Sequence, residues 1–501
     1  MSVARHLSRR TLAGLPAEIG RPAVDPARLG SGIVHLGLGA FARAHLAAYT
    51  APLLAADPTW GILGVSLRRA DTRDALAPQE WLYACAARDG SGERIDVLGA
   101  LTGILVAPED SASVLRRLAD PAVRIVTLTV TEKGYCRDPA GDGLDEDNPS
   151  VRHDLAHPEA PTSVPGLLAA ALAARRAAGV APFAVLSCDN LAANGEATRR
   201  VVGRFAALSD PELGRFITGE VAFPCSMVDR IVPATTPADR ARIQAALGVA
   251  DAWPVVSERF RQWVIEDRFP LSRPAWEQSG AELVADVRPY EEMKLRLLNA
   301  SHSAIAYLGQ LAGWKTVAAA IGEPALAAYI ADLMAESAAT LRLPAGVDLD
   351  AYRRALLDRF ANPALQHRTA QIASDGSQKL PQRLFAPALE LRRSGRAAPC
   401  IALAVAAWLR FLRGTADDGA ELALDDPQAS RLRAAACAAP DEHALCDAVF
   451  ALPGIVPPML AAAGPFKDEV LAALHSLADH GVRRVLALRR QAAAATQSAE
   501  P

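Results

Sequence analysis

Little in this chain suits it to nucleic acid, to a membrane or to an oxidising compartment. Across 501 residues the formal net charge is −3, far from the broad basic field that general nucleic-acid binding requires. Phe, Trp and Tyr make up 5% of the residues, so stacking platforms for single-stranded bases are not expected. No apolar run reaches the roughly 20 residues of a membrane helix, and the stretch MSVARHLSRRTLAGLPAEIG lacks the hydrophobic block of a signal peptide. The expectation is a cytoplasmic protein without nucleic-acid or membrane partners, a monomer or small homo-oligomer. The 7 cysteines are odd in number, scattered and free of any CxxC pair. That argues against a disulfide framework and a structural zinc site, and for buried free thiols.

What is present is an ordinary globular balance, 51% hydrophobic and 22% charged. GIVHLGLG (32 to 39), WGILGVSL (60 to 67), VRIVTLTV (123 to 130) and PFAVLSCDN (182 to 190) are apolar nearly throughout, as parallel strands covered on both faces should be. Helical patterns such as SASVLRRLAD and VPGLLAAALAARRAAG alternate with them, a βαβ rhythm. The segment from Arg137 to Pro165, rich in Asp, Pro and Gly, reads as a long surface excursion within that domain. After about Asp286 helical patterns dominate: KLRLLNASHSAIAYLGQLAG, PALAAYIADLMAESAATL, LALAVAAWLRFLRG and DEVLAALHSLADHGVRRVLALRRQAA. The expected α/β architecture is an N-terminal Rossmann-type doubly wound domain over residues 1–285 and a mainly α-helical C-terminal domain over 286–501. The tail AAAATQSAEP is expected to fray.

Gly37, Gly39 and Ala42 form GxGxxA directly after the first apolar run and before a helical pattern, the dinucleotide fingerprint in its alanine variant. Gly37 would make the tight turn, Gly39 would let the backbone approach a pyrophosphate, and Ala42 would let helix and strand pack closely. The second strand runs into Arg68, Arg69, Ala70 and Asp71. Asp71 could accept hydrogen bonds from the ribose hydroxyls of NAD, while the two arginines could equally clamp a 2′-phosphate. The cofactor expectation is NAD, with NADP left open.

EEMKLRLLNASHSAIAYLG places Lys294, Asn299 and His302 on one helix. At about 100° per residue they fall near 0°, 140° and 80°, able to border one cleft. A desolvated lysine could take the proton of a secondary alcohol while hydride leaves to a nicotinamide. An amide could donate to the developing alkoxide, and a histidine could orient a neighbouring hydroxyl. Taken alone, a helix-face lysine is more often solvated and a lone histidine structural.

GxGAFARAH, TVTEKGYC (129 to 136), SCDNLAANG (187 to 195), FPCSMVDRIVPATT (223 to 236), QWVIEDRF (262 to 269) and KLRLLNASHS (294 to 303) together resemble the mannitol dehydrogenase family. These are polyol-specific long-chain dehydrogenases and reductases, and the resemblance spans roughly residues 30 to 480. It implies that Lys294 is a general base acting without metal, and that Asn190 and Asn299 polarise the carbonyl or alkoxide oxygen. It further implies that His302 holds substrate hydroxyls, that Asp229 lies at the boundary of substrate and cofactor, and that Glu132 stands on a proton path from the lysine. Two departures count. Ala42 stands where most relatives have histidine, and Ala70 replaces one of the adjacent acidic residues of strictly NAD-preferring relatives, which keeps NADP open.

HRTAQIASDGSQKLPQR (367 to 383) resembles the fructuronate reductase branch; the mannitol 2-dehydrogenase branch has arginine at the position of Gln371. A uronate carries a carboxylate, for which Arg368, Lys379 and Arg383 could supply a cation; the competing reading is that they pair with Asp375 and surface carboxylates. The expected reaction is reversible hydride transfer between NAD(P) and a linear sugar acid or polyol, D-mannonate and D-fructuronate first. D-mannitol with D-fructose, or arabinitol, is the alternative. A cofactor-sensing binding protein is the non-enzyme alternative, and the cysteine signature of a zinc-dependent alcohol dehydrogenase is missing.

Overall fold

Apolar strand residues alternate between two cores in the N-terminal half, and that alternation explains the architecture. In the computed structural model, which describes residues 6–138, 143–344 and 346–497, the strands are β1 Ile33–Leu36, β2 Ile62–Ser66, β3 Tyr83–Asp89, β4 Gly92–Leu98, β5 Leu101–Val106, β6 Ile125–Leu128, β7 Ala184–Ser187, β8 Ser226–Asp229, β9 Val255–Glu258, β10 Gln262–Glu266 and β11 Glu282–Val284. A five-stranded sheet runs β5-β2-β1-β6-β7, with every neighbouring pair parallel. Val34, Leu36, Leu63, Val65, Val126 and Leu128 enter the core on one face. Ile33, Ile62, Ile125 and Leu186 enter the core on the other. A sheet buried on both sides needs helices on both sides, which is the doubly wound arrangement read from the sequence.

Successive strands spread outward from β1 in both directions, so the topological switch point lies between β1 and β6. In such sheets ligands bind beyond the carboxyl ends of the strands at that point. Two smaller sheets, β4-β3-β9 and β11-β10-β8, were not expected from sequence. β3 and β4 form an antiparallel hairpin whose outer ends are exposed and polar, so they lack the continuous apolar signature of the central strands.

The excursion after Arg137 is tied down more firmly than a surface loop. It contains the helix Pro149–Ala156, and Asp154, 1% exposed, accepts hydrogen bonds from the Thr162 and Ser163 amides at 2.8 Å. Residues 139–142 of this excursion lie outside the described ones.

The chain divides into two compact units, Met1–Val287 and Arg288–Pro501. The second is helical and is built around the almost wholly buried helix Pro399–Leu412, against which the helices Ala300–Ala312 and Pro465–Gln497 pack. The last of these is broken at Gly481, whose φ of 69° is not helical. Helix persists to Gln497, past the point where fraying was expected; residues 498–501 lie outside the described ones. All 7 cysteines are free thiols. Cys437 differs from the expectation of burial, standing exposed on the outer face of the helix Ala429–Ala438. Among the described residues no helix is long and apolar enough to cross a membrane.

Candidate active site

In the first unit the glycine turn sits at the carboxyl end of β1, at the switch point. Gly37 has a φ of +87°, and a Cβ there would meet the Thr129 carbonyl oxygen at 2.3 Å, so only glycine fits both the turn and the close approach of the chain leaving β6. At Gly39 a Cβ would find nothing nearer than the Gly37 oxygen at 3.9 Å. That leaves an open cradle in front of the backbone, the feature a pyrophosphate needs. Ala42 is 1% exposed on the short helix Ala40–Ala44, so a larger side chain would push helix from sheet. These residues fit a dinucleotide. Arg68, Arg69 and Asp71 follow β2 and are exposed; Arg69 lies 3.8 Å from Asp71, which begins the helix Asp71–Leu76.

The loops after β6 and β7 are fastened to each other by Asp189. Its carboxylate accepts from the Val130 and Thr131 amides at 2.9 and 3.1 Å and from the Tyr135 hydroxyl at 2.7 Å. This holds the turn carrying half-buried Glu132, whose first residue Thr131 has a φ of 64°, next to the loop carrying exposed Asn190. Burial pushes the Asp189 carboxyl upward, against hydrogen bonds that favour its charged form. Asn194 then ties this loop to β8. Its amide donates to the carbonyls of Ser187, Asp189 and Ser226 at 3.2, 3.1 and 2.8 Å and accepts from the Ser226 amide at 2.9 Å. β8 ends on Asp229, 3% exposed and paired across the sheet with Gln262. Asp189 and Asn194 lie inside SCDNLAANG, but nothing in their spacing announces partners as distant as Ser226.

In the second unit Lys294 and Asn299 bound a π-helical turn, Lys294–Asn299, between the helices Arg288–Met293 and Ala300–Ala312. The α-helical angles expected from sequence therefore need correction. An i→i+5 pattern spends more residues on each turn, which swings Asn299 back toward the Lys294 face. Arg296 anchors the turn from behind, donating to both carboxylate oxygens of Glu390 at 2.8 and 2.7 Å and to the Thr340 carbonyl at 2.8 Å. A second π-helical turn, Pro381–Phe385, brings in Arg383, which donates to Ser303 Oγ at 3.1 Å and to the Asn299 carbonyl at 3.4 Å. Such turns interrupt a helix at a cost and recur at functional sites.

Lys294, Asn299 and His302 are 5%, 5% and 7% exposed. Among the described residues the Asn299 Nδ2 and His302 Nε2 atoms are buried without a hydrogen-bond partner, two polar positions on one helix that a ligand could complete. Burial holds His302 well below the usual histidine value, and the positive charges of Arg359, Arg383 and Lys294 hold it lower still. It packs on Phe360 at 4.7 Å and edge-on to His367 at 5.3 Å. His302 is therefore a neutral imidazole in a positive surround, able to hydrogen-bond a hydroxyl but not to act as an acid near neutral pH.

Not every candidate joins this cluster. Lys379 turns to its own loop, donating to the Ser374 carbonyl at 2.7 Å with Asp375 at 4.0 Å. Arg368 is exposed at the start of the helix Thr369–Ile372. Among the described residues no group of three or more His, Cys, Asp or Glu is placed to hold a metal ion.

Comparison with known proteins agrees with this chemistry. Residues 31–278 match the mannitol dehydrogenase Rossmann domain and residues 286–452 the mannitol dehydrogenase C-terminal domain. The chain is 43% identical over 475 residues to D-mannonate oxidoreductase of Escherichia coli (strain K12), covering 94% of this chain and 98% of that one. It is 42% identical over 418 residues to mannitol 2-dehydrogenase of Phaeosphaeria nodorum, covering 82% of this chain and 73% of that one. Among solved structures, Pseudomonas fluorescens mannitol 2-dehydrogenase in ternary complex with NAD and D-mannitol matches with a TM-score of 0.92 and 38% identity, over 97% of this chain and 99% of that one. With both domains matched in order and relatives similar along nearly the whole length, the chain belongs to the mannitol dehydrogenase family of NAD-dependent polyol and sugar-acid oxidoreductases.

Proposed function

We propose that this enzyme interconverts D-mannonate and D-fructuronate with NAD, and that Lys294 is its base. The observation that carries the reading is the pair of buried, unpartnered nitrogens, Asn299 Nδ2 and His302 Nε2, in the positive field of Arg359 and Arg383. An oxygen-rich anionic substrate would complete both. When bound at the Gly37–Gly39 turn, the cofactor supplies the hydride acceptor or donor.

In the oxidising direction the Lys294 amine takes the carbinol proton as the carbon gives up hydride, leaving ketone and a protonated lysine. Asn299 and Asn190 donate to the oxygen as it gains negative charge, which lowers the barrier because the donors are already oriented. Neutral His302 holds an adjacent hydroxyl, and Arg383 pairs with the carboxylate. Glu132 receives the proton that Lys294 releases, and Asp229 borders the substrate. Seven free thiols support a reducing compartment, the cytoplasm.

The substrate assignment draws on the fructuronate-like segment ending at Arg383 and on the 43% identity to D-mannonate oxidoreductase. D-mannitol with D-fructose is the second reading, favoured by the likeness to a D-mannitol complex. Lys294→Ala tests the base: turnover of both substrate pairs should fall by about 10²–10⁴-fold with NAD affinity unchanged. Near-normal turnover would remove Lys294 from the chemistry.

A further inference from the structure

A cavity of about 540 Å³ lies in the first unit between the segment Gly20–Val24, the helix Leu46–Thr50 and the β4-β3-β9 sheet. Its volume falls within the roughly 300–1,000 Å³ typical of small-molecule sites. None of the residues assigned above to hydride transfer or to the cofactor lines it.

Five arginines face this cavity, and they divide into two kinds. Arg94 and Arg259 have carboxylates at hand, Asp96 at 2.9 Å and Asp89 at 3.7 Å. Arg21, Arg230 and Arg261 spend their N–H groups on backbone carbonyls instead. Arg21 donates to Leu12 at 2.9 Å and Ile19 at 3.2 Å. Arg230 donates to Glu258 at 3.1 Å and to Ala44, and Arg261 to Ala48 at 2.8 Å and Ser279 at 3.0 Å. A carbonyl fixes a guanidinium in place but carries no full charge, so these three are oriented by the backbone toward one space, with Asp96 in the same lining and Glu258 close enough to Arg230 to favour its charged form. Burial holds Arg230 below the usual arginine value, with Arg261 adding to the effect and Cys85, Glu258 and Tyr49 opposing it. Arg261 also stacks over the Tyr49 ring at 4.3 Å, which fixes its plane. Ala48, Ala51, Pro52 and Leu54 add an apolar part to the lining.

We propose that this cavity binds a phosphate monoester carried on an apolar body. Five arginines face the cavity against one lining carboxylate, Asp96; a dianion offsets more of that excess than a monocarboxylate does, and planar guanidinium groups match phosphate oxygens in pairs. The apolar lining receives the organic part.

The test is calorimetric titration of the full chain, saturated with NAD so that the cofactor's own phosphate cradle is filled, using phenyl phosphate, inorganic phosphate and benzyl alcohol. Phenyl phosphate should bind saturably, inorganic phosphate more weakly, and benzyl alcohol not at all. Arg261→Gln should weaken phenyl phosphate by roughly 10- to 100-fold, the loss of one charged hydrogen-bonding partner. Ala51→Phe, which fills the cavity without touching an arginine, should abolish binding and guards against a misfolded arginine variant; circular dichroism checks both. Absence of saturable phenyl phosphate binding, or equal binding in wild type and Ala51→Phe, would overturn the proposal.

Discussion

In the first unit Glu132 and Asn190 stand half-buried or exposed on loops after β6 and β7, and their placement comes from other residues: Asp189 clamps one loop to the other, and Asn194 fixes both to β8. In the second unit Lys294, Asn299 and His302 are buried in a helix, and their placement comes from the backbone itself, through an extra residue in the turn. At these positions the contrast is between Asn194, whose side-chain amide makes its bonds within the protein, and Asn299 and His302, whose Nδ2 and Nε2 are left open. The comparison gives an expectation for each asparagine: losing Asn194 removes bonds that hold structure, while losing Asn299 removes a buried donor that has no bond within the described protein.

The same substitution on either side should break this comparison cleanly. Asn299→Ala is expected to lower kcat by about 10²–10³-fold, the scale for losing one oxyanion donor, with little change in melting temperature because its Nδ2 has no protein partner to lose. A large melting-temperature drop with kcat preserved would make Asn299 structural. Asn194→Ala should do the opposite. It removes a donor from three carbonyls and the acceptor of one amide and should cost about 3 kcal/mol of stability, read from urea midpoints. Undiminished stability would show that the loops hold without it.

Acid should act on both units alike. Burial pushes His35 and His45 in the first unit down to about 3 and His367 in the second to about 4, with His302 also far down. In the unfolded chain these imidazoles bind protons near pH 6.5. Below that value the unfolded state holds more protons, so stability is fully present above about pH 6.5 and drains as pH falls toward the folded values. Each fully buried histidine should cost about 2 kcal/mol between pH 6.5 and 5. Urea midpoints at pH 7 and 5 check this; equal midpoints would contradict neutral burial.

The sequence exposes what is local. The turn at Gly37 and Gly39 is legible because its requirement, space for a backbone, is a property of the residues themselves. Four of the five parallel strands, β1, β2, β6 and β7, are legible because they are buried on both faces and apolar nearly throughout. The π-helical turn at Lys294 is not, since an apolar pattern of near-helical period does not report one added residue per turn. The hairpin of β3 and β4 escapes for the reverse reason, its outer residues being polar like any loop. The Asn194 scaffold escapes because its partner Ser226 is 32 residues away, and no local pattern encodes a contact at that distance.

The substrate is where the comparison of the two units has its sharpest consequence, because the positive surround of His302 belongs to the second unit alone. The direct measurement is kcat/KM with NADH for D-fructuronate and D-fructose on the same wild-type preparation. The charge of Arg359 and Arg383 around the unpartnered donors predicts a clear preference for D-fructuronate, at least tenfold for one charge-assisted contact worth about 1.5–3 kcal/mol. Turnover of D-fructose far above that of D-fructuronate would contradict it.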